Sequence, residues 1–529
     1  MRVLYSTCWV DPWIKVAKQL KIDFNLDPIY WIGFYEDNSK KLVPEEFPNV
    51  HYHSRWDAWK CIFPAEVEKS YTKYNLSPDF LREIAIYELQ GMTLMDRLTP
   101  DRYSFAFSER QRVFRNFLRK WMACIDIFNI EFVIGDRIPH RTYDYTLYIV
   151  CKYLGIKYIY SNHVHIPNRI MYLTSLQDLT KEFLDSYNAI SKSNENKKVN
   201  EIKINLENDV STYYDNCKAT YDKGQPYFME ELDKGQRQHS NIFKIGFSFL
   251  KEFFGFKKNN VIYNRPMHGL IKDFFDVHPY SKKRNKLLEE SKYNAFQYGL
   301  NILKANRYRK KLKKFYNKNT VTPDFNKPYI YFALHYQPEA TSSPSADIFV
   351  DQYLAIEQIA VNIPGNWVIY VKEHIHQFNY LMEGQKGRFL HLYKDLMKIS
   401  NVAFVPLNTD SFALIDNAKA VSTLTGTVGW EAIVRNKPLI VFGLTWYQAC
   451  YGVLKIINTE DVSKINDFIN NYLPNEKAVI NYLLAMQKFA PLTYSYRADL
   501  KENISEKQCV NNTILQLSQF LEKIKNTSF

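Results

Sequence analysis

The chain has 529 residues, too many for one ordinary core, and its 46% hydrophobic and 24% charged residues are the composition of a globular protein. Seven scattered cysteines, odd in number and never spaced as CxxC, argue against a disulfide framework or a zinc site and for a reducing compartment. The net charge is +13, and Lys282 to Lys318 alone holds 13 Lys or Arg against Glu289 and Glu290.

No run approaches the ~18 apolar residues of a membrane span, and MRVLYSTCWVDPW has no basic-then-apolar leader, so the expected location is cytoplasmic. A basic block of this kind is either a solvated face or hinge, or a surface for an anionic partner such as a polyanionic glycan or the inner leaflet of a membrane. No zinc-finger, RRM or KH pattern accompanies it, so nucleic acid is not expected.

In chain order, Val3–Ser6 and Ile29–Phe34 read as strands, with a helix at Trp13–Leu20 between them. A long amphipathic helix follows at Glu109–Phe128, where Phe114, Phe117, Leu118, Trp121 and Ile125 recur at three- and four-residue spacing. A strand at Glu131–Gly135, a helix at Thr142–Leu154 and a strand at Lys157–Tyr160 complete a first α/β unit. Residues 175–325 break this rhythm, being rich in Lys, Asn and Glu, and read as a helical, basic insertion. Alternation resumes with strands at Tyr329–Leu334, Trp367–Val371, Val402–Val405, Ala420–Leu424 and Pro438–Phe442. Helices at Asp351–Val361, Phe389–Ile399 and Phe412–Ala418 fall between them, and NNTILQLSQFLEKIK closes the chain as an amphipathic helix. The expected organisation is two doubly wound α/β domains facing a cleft, at 1–174 and 326–485, with the insertion at 175–325 and a helical tail at 486–529.

Ligands of open α/β sheets bind beyond the carboxyl ends of the strands. Four polar clusters stand there: DRIPHRTYD from Asp136, HYQPEATSSPSAD from His335, KEHIHQ from Lys372 and TGTVGWE from Thr425. Any one of them is explained by a chain turning into solvent, but three in one domain favour a ligand site. In TGTVGWE the glycines fit either a turn needing φ > 0 or a phosphate seat at a helix N-terminus. Lys372, His374 and Thr425–Gly426–Thr427 suit a phosphate, and Glu431, placed near the helix start, suits a ribose hydroxyl. Neither GxxxxGK[ST] nor GxGxxG occurs, which disfavours an ATPase or an NAD enzyme. No metal cluster or cofactor is indicated.

HYQPEATSSP, IPGNWVIYVKEH and TGTVGWEAIVRNKPLIVFGLTWY resemble the capsule polysaccharide biosynthesis family, which includes bacterial Kdo transferases; DRIPHRTYDYTLY resembles an N-terminal motif of many members. The resemblance covers 325–455 well, 130–170 in part and 175–320 not at all. It implies a GT-B glycosyltransferase with two Rossmann-like domains, the second holding a nucleotide-sugar such as CMP-Kdo and the first a glycan or glycolipid acceptor, with retention of configuration. Carried onto this chain, it sets His374 and Lys372 at the donor phosphate and Thr425, Gly426, Thr427 and Glu431 in the nucleotide site. His335, Gln337 and Glu339 join them on the same side. Asp136 is the candidate catalytic carboxylate, with His140 four residues on; Glu339 and Asp144 are the fallback carboxylates. The proline that often follows the family's KEH is Ile375 here, which puts the turn and the donor in question. Capsule assembly proteins and an anionic inner membrane are the other implied partners. The rival readings are a nucleotide-sugar 2-epimerase or hydrolase of similar fold, which would turn over without an acceptor, and a non-catalytic assembly protein.

Overall fold

Short apolar runs become buried parallel strands in both halves of the chain, as expected where helices cover both faces of a sheet. The computed structural model describes residues 1–8, 12–33, 39–97, 106–166, 168–219, 295–379, 384–493 and 505–527; most of the insertion, including 282–294 of the basic block, lies outside them. The first sheet comprises β1 (Arg2–Ser6), β2 (Asp27–Gly33), β3 (His51–Ser54), β4 (Phe132–Gly135), β5 (Lys157–Val164) and β6 (Arg169–Leu173). Their order is β3-β2-β1-β4-β5-β6, parallel throughout except for β6, which runs against β5. The second sheet comprises β7 (Tyr329–Ala333), β8 (Val368–Lys372), β9 (Val402–Phe404), β10 (Ala420–Thr423), β11 (Leu439–Val441) and β12 (Val453–Lys455). Its order, β12-β11-β10-β7-β8-β9, repeats the same winding and is wholly parallel. Both are Rossmann-type sheets, so the chain has the GT-B-like, doubly wound architecture, with a topological switch between β1 and β4 and another between β7 and β10.

The helices used below are α1 (Pro12–Phe24), α2 (Ala85–Leu94), α3 (Phe107–Ile127), α4 (Thr142–Leu154), α5 (Lys181–Ser193), α6 (Val199–Lys203), α7 (Asn208–Lys218), α8 (Ala295–Lys318), α9 (Thr427–Val434), α10 (Glu476–Phe489) and α11 (Glu506–Thr527). The apolar stripe of α3 packs inward, with Phe114, Phe117, Leu118 and Trp121 fully buried. Helix α4 ends where Gly155 turns left-handed at φ 72, a conformation that costs glycine little.

Helices α5–α7 leave the first sheet to pack on the second domain. Phe183 meets Tyr482 and Phe489 edge-on, and the Tyr214 hydroxyl donates to Glu476 at 2.7 Å. Helix α10 runs through residue 485, where the sequence reading ends the second domain. Helix α11 returns to the first sheet: Leu517 and Leu521 are buried in the core with Trp13 and Ile170, and Gln516 donates to the Ile170 carbonyl at 2.8 Å.

Asp347 is one of several contacts between the domains, accepting from Gln90 of α2 and from Gln177, the latter at 3.2 Å. Asp347 itself sits at φ 52, a left-handed conformation that Asp tolerates better than most residues. Among the described residues, no helix is long and apolar enough to cross a membrane.

Candidate functional site

The carboxyl ends of β7, β8 and β10 bring the second-domain candidates together at its switch point. His335 follows β7 and reaches across to the turn after β10: its Nε2 accepts from the Thr425 amide at 2.9 Å and lies 3.0 Å from Thr423 Oγ1. The ring therefore carries its proton on Nδ1. Burial holds its pKa down to about 3, assisted by the Arg388 charge and by His165. His335 thus clamps the turn as a neutral ring. The Thr425 hydroxyl donates to the Thr341 carbonyl at 2.7 Å, which fastens the same turn to the loop after β7.

The glycines of that turn are there for space. Gly426, the N-cap of α9, has φ −75, within reach of any residue, so of the two readings of this turn the one that needs φ > 0 does not hold there. A Cβ on Gly426 would lie 2.9 Å from Thr423 Oγ1, and one on Gly429 would lie 2.5 Å from the Tyr447 hydroxyl. Close packing of strand end against helix requires them. No side chain caps α9, so its first amides, beginning at Thr427, remain a seat for an anion.

Glu431 lies in the second turn of α9, one turn beyond the start expected from sequence, and is buried. Burial raises its pKa to about 7 against the pull of Lys372 and Arg435. Lys372 ends β8, and its Nζ donates to the Thr409 carbonyl at 2.5 Å and to Ser411 Oγ at 2.8 Å. Burial brings it down to about 8, opposed by Asp410 and Glu431. His374 caps the short turn that follows, its Nδ1 accepting from the His376 amide at 3.2 Å. That leaves Nε2–H as a donor. Burial, with His376, His335, Arg388 and Lys372 nearby, holds the ring neutral with a pKa of about 3.

Behind these groups stands a network that sequence reasoning missed. Arg388 and Glu373 are both fully buried and joined by Nε–Oε2 at 2.8 Å and Nη2–Oε1 at 3.1 Å. Arg388 also donates to the His335 carbonyl and to Gln337 Oε1, while Tyr393 donates to Glu373 at 2.5 Å. Glu373 accepts from the His374 amide at 2.8 Å. One ion pair therefore fixes the loops of both histidines. Gln337 is consumed here, donating to the Val350 carbonyl at 2.6 Å and accepting from Gln352 at 3.0 Å, so its expected substrate contact gives way to an internal one. Glu339 remains exposed, takes a hydrogen bond from Thr341 at 2.8 Å and lines an interdomain cavity of about 660 Å³ with Thr93, Ser343 and Phe389.

The first-domain candidates sit at the other switch point. The Asp136 amide donates to the Ser6 carbonyl at 3.1 Å, and its own carbonyl accepts from Ser161 at 2.6 Å. The residue is 1% exposed, and its charge is felt by Cys8 and Tyr172, so the expected catalytic carboxylate lies buried in the first domain. It does not cap α4: that carboxylate is Asp144, which takes the Arg141 amide at 2.6 Å and is raised by burial to about 6. His140 Nδ1 lies 2.8 Å from the Ile138 carbonyl. His163 and His165, at the end of β5, are a second omission: His165 lies close enough to His335 to depress its pKa, and His163 feels Arg137. SNHVHIPN carries the signal, two histidines just past the strand read at Lys157–Tyr160. Among the described residues, no group of three His, Cys, Asp or Glu side chains could hold a metal ion.

Two Rossmann-type sheets of the same winding define the class as a GT-B-like protein. Residues 270–488 match the family model described as "Capsule polysaccharide biosynthesis protein", a span holding the three second-domain motifs on which the resemblance rests. No curated protein matches the chain. Solved structures similar to it include Thermosulfurimonas dismutans KpsC, a beta Kdo 2,7 transferase, at 15% identity and TM-score 0.21 over 41% of this chain and 61% of that one. The UDP-GlcNAc 2-epimerase of Methanocaldococcus jannaschii follows at 13% identity and TM-score 0.23, over 90% and 94%. The chain thus spans less than two thirds of the Kdo transferase it matches, and likenesses this distant add nothing to the fold described above.

Proposed function

We propose that this protein is a glycosyltransferase that moves a sugar from a nucleotide-sugar, held by the second domain, to a growing capsular or other surface polysaccharide or its lipid-linked precursor, held by the first. The observation that carries the reading is that Lys372 and His374 at the end of β8 and the uncapped start of α9 after β10 lie at the carboxyl edge of one sheet, on the two strands that flank β7. Those donors suit a donor phosphate, and they favour departure of the nucleotide by stabilising the charge that develops on it. Glu431, across from Lys372, suits a ribose hydroxyl. CMP-Kdo as donor and retention as outcome are proposed on the resemblance of the motifs, with peripheral contact at an anionic membrane and with capsule assembly proteins. Exposed Glu339 lines the interdomain cavity on the loop that the Thr425 hydroxyl fastens, so we assign it, ahead of Asp136, the chemistry at the anomeric carbon.

A thermal-shift screen with CMP, UDP and GDP tests the donor site, since a ligand of the native state alone raises its stability. One nucleotide should bind, and His374→Ala should cut transfer by about 10²–10³ while the fold persists. Failure of all three to bind, or full activity of the folded variant, refutes the reading.

A further inference from the structure

Helix α8 has two faces with different work. Arg309, Leu312 and Tyr316, three and four residues apart, form a buried face against the second domain. Arg309 donates to Gln385 Oε1 at 2.7 and 3.2 Å. The Tyr316 hydroxyl donates to the Val405 carbonyl at 2.7 Å and accepts from the Glu373 amide at 2.9 Å. The inward face therefore grips the segment that leads from β8 into His374.

The same periodicity puts Lys304, Arg307, Lys311, Lys314 and Lys318 on the opposite face, all exposed. No acidic residue occurs between 295 and 318, and among the described residues none of these five forms a salt bridge. Like charges one turn apart oppose the helix that carries them. Leu300 and Leu303, 39% and 65% exposed, continue the same line.

We propose that this outward face seats the protein on an anionic lipid surface, and that the seat is coupled through Tyr316 to the loop bearing His374. The coupling rests on the donor-site reading only for its consequence in catalysis. A basic helix face with apolar side chains among its charges suits the headgroup boundary of a bilayer, where the leucines leave water. A soluble polyanion would neutralise the lysines and leave those leucines wet. Neutralisation relieves the repulsion along α8, and a steadier α8 holds the Tyr316–Glu373 hydrogen bond more firmly.

The test uses the full chain with vesicles of phosphatidylcholine, or of equal parts phosphatidylcholine and phosphatidylglycerol, read by sedimentation and by hydrogen exchange of the Glu373–Phe378 amides. Binding should require phosphatidylglycerol and weaken with salt. Each basic residue near such a surface contributes about five-fold in partitioning, so Lys304→Gln/Arg307→Gln/Lys311→Gln/Lys314→Gln should reduce it at least about 100-fold. In the parent protein the anionic vesicles should slow exchange at Glu373–Phe378; Tyr316→Phe should sediment as before but lose that protection. Equal binding to both vesicle types, or protection by soluble heparin matching that by vesicles, overturns the lipid surface. Unchanged exchange in the parent, or retained protection in Tyr316→Phe, overturns the coupling. Neither readout needs a nucleotide, so a failed donor site would show itself separately in the nucleotide screen.

Discussion

Replacing Arg388 with methionine removes the charge that neutralises Glu373 in the middle of the second domain. Both side chains are fully buried, and bonds of 2.8 and 3.1 Å join them. Taking one partner from a buried ion pair costs about 3–5 kcal/mol, because the other charge is left without compensation. Glu373 would keep the Tyr393 hydroxyl at 2.5 Å and the His374 amide at 2.8 Å, two donors that soften the loss, so the lower end of that range is expected. At about 2–4 °C per kcal/mol for a domain of this size, Tm should fall by roughly 6–12 °C. Differential scanning calorimetry, with urea melts on the same samples, measures it. The double variant Arg388→Met/Glu373→Gln removes both charges and should recover to within about 1 kcal/mol of the parent. A single variant within about 1 kcal/mol of the parent, or a double variant no better than the single, would refute the view that this pair is the electrostatic centre of the domain.

Lys372, brought down to about 8, should lose its charge as pH rises through that value, so nucleotide affinity should weaken above it by up to about tenfold per pH unit; titration calorimetry should show the slope in the parent and none in Lys372→Met. Glu431 is raised from 4.5 to about 7, so the folded state holds its proton more tightly than the unfolded one: the stability it contributes is complete below 4.5 and lost as pH rises to about 7. Glu431→Gln should therefore melt above the parent at pH 8 but not at pH 4, and should raise the donor KM with kcat preserved, as the loss of a uniform binding contact does. Asp136→Asn should keep transfer within about tenfold of the parent, whereas Glu339→Gln should lose about 10²–10³; the opposite ranking in an acceptor-dependent assay would return the chemistry to Asp136.

Long apolar or amphipathic segments were legible in the sequence. The helix over Thr142–Leu154 has the bounds read from its pattern, and the strands before His335, Lys372 and Thr425 end within a residue or two of their expected places. Three strands were not. HYHS of β3 has no apolar run, RIMYL of β6 is an antiparallel edge with a buried arginine in it, and VLK of β12 is only three residues long. Lys372, His374 and Glu431 could be read because they directly follow recognisable elements. Arg388 could not: GRFL carries no local pattern, and its meaning arises from partners 15, 51 and 53 residues away. Glu373 lies within KEH, where the flanking Lys372 and His374 read as ligand contacts while the residue facing inward organises them.

The return of α11 to the first sheet has a consequence for how the molecule is made. Leu517 and Leu521 complete the core around Trp13, and Lys15 of α1 pairs with Glu506 at the start of α11. During synthesis, which proceeds at about 5–20 residues per second, the strands of the first sheet must wait for α11 while the whole second domain emerges between them. For that interval the part of α1 that α11 covers stays open, and a nascent chain stalled after the second domain would present a sticky, half-roofed sheet to its neighbours. Premature termination just upstream of residue 505 should accordingly give aggregates rather than a smaller working protein, even though every residue of both strand sets would be present.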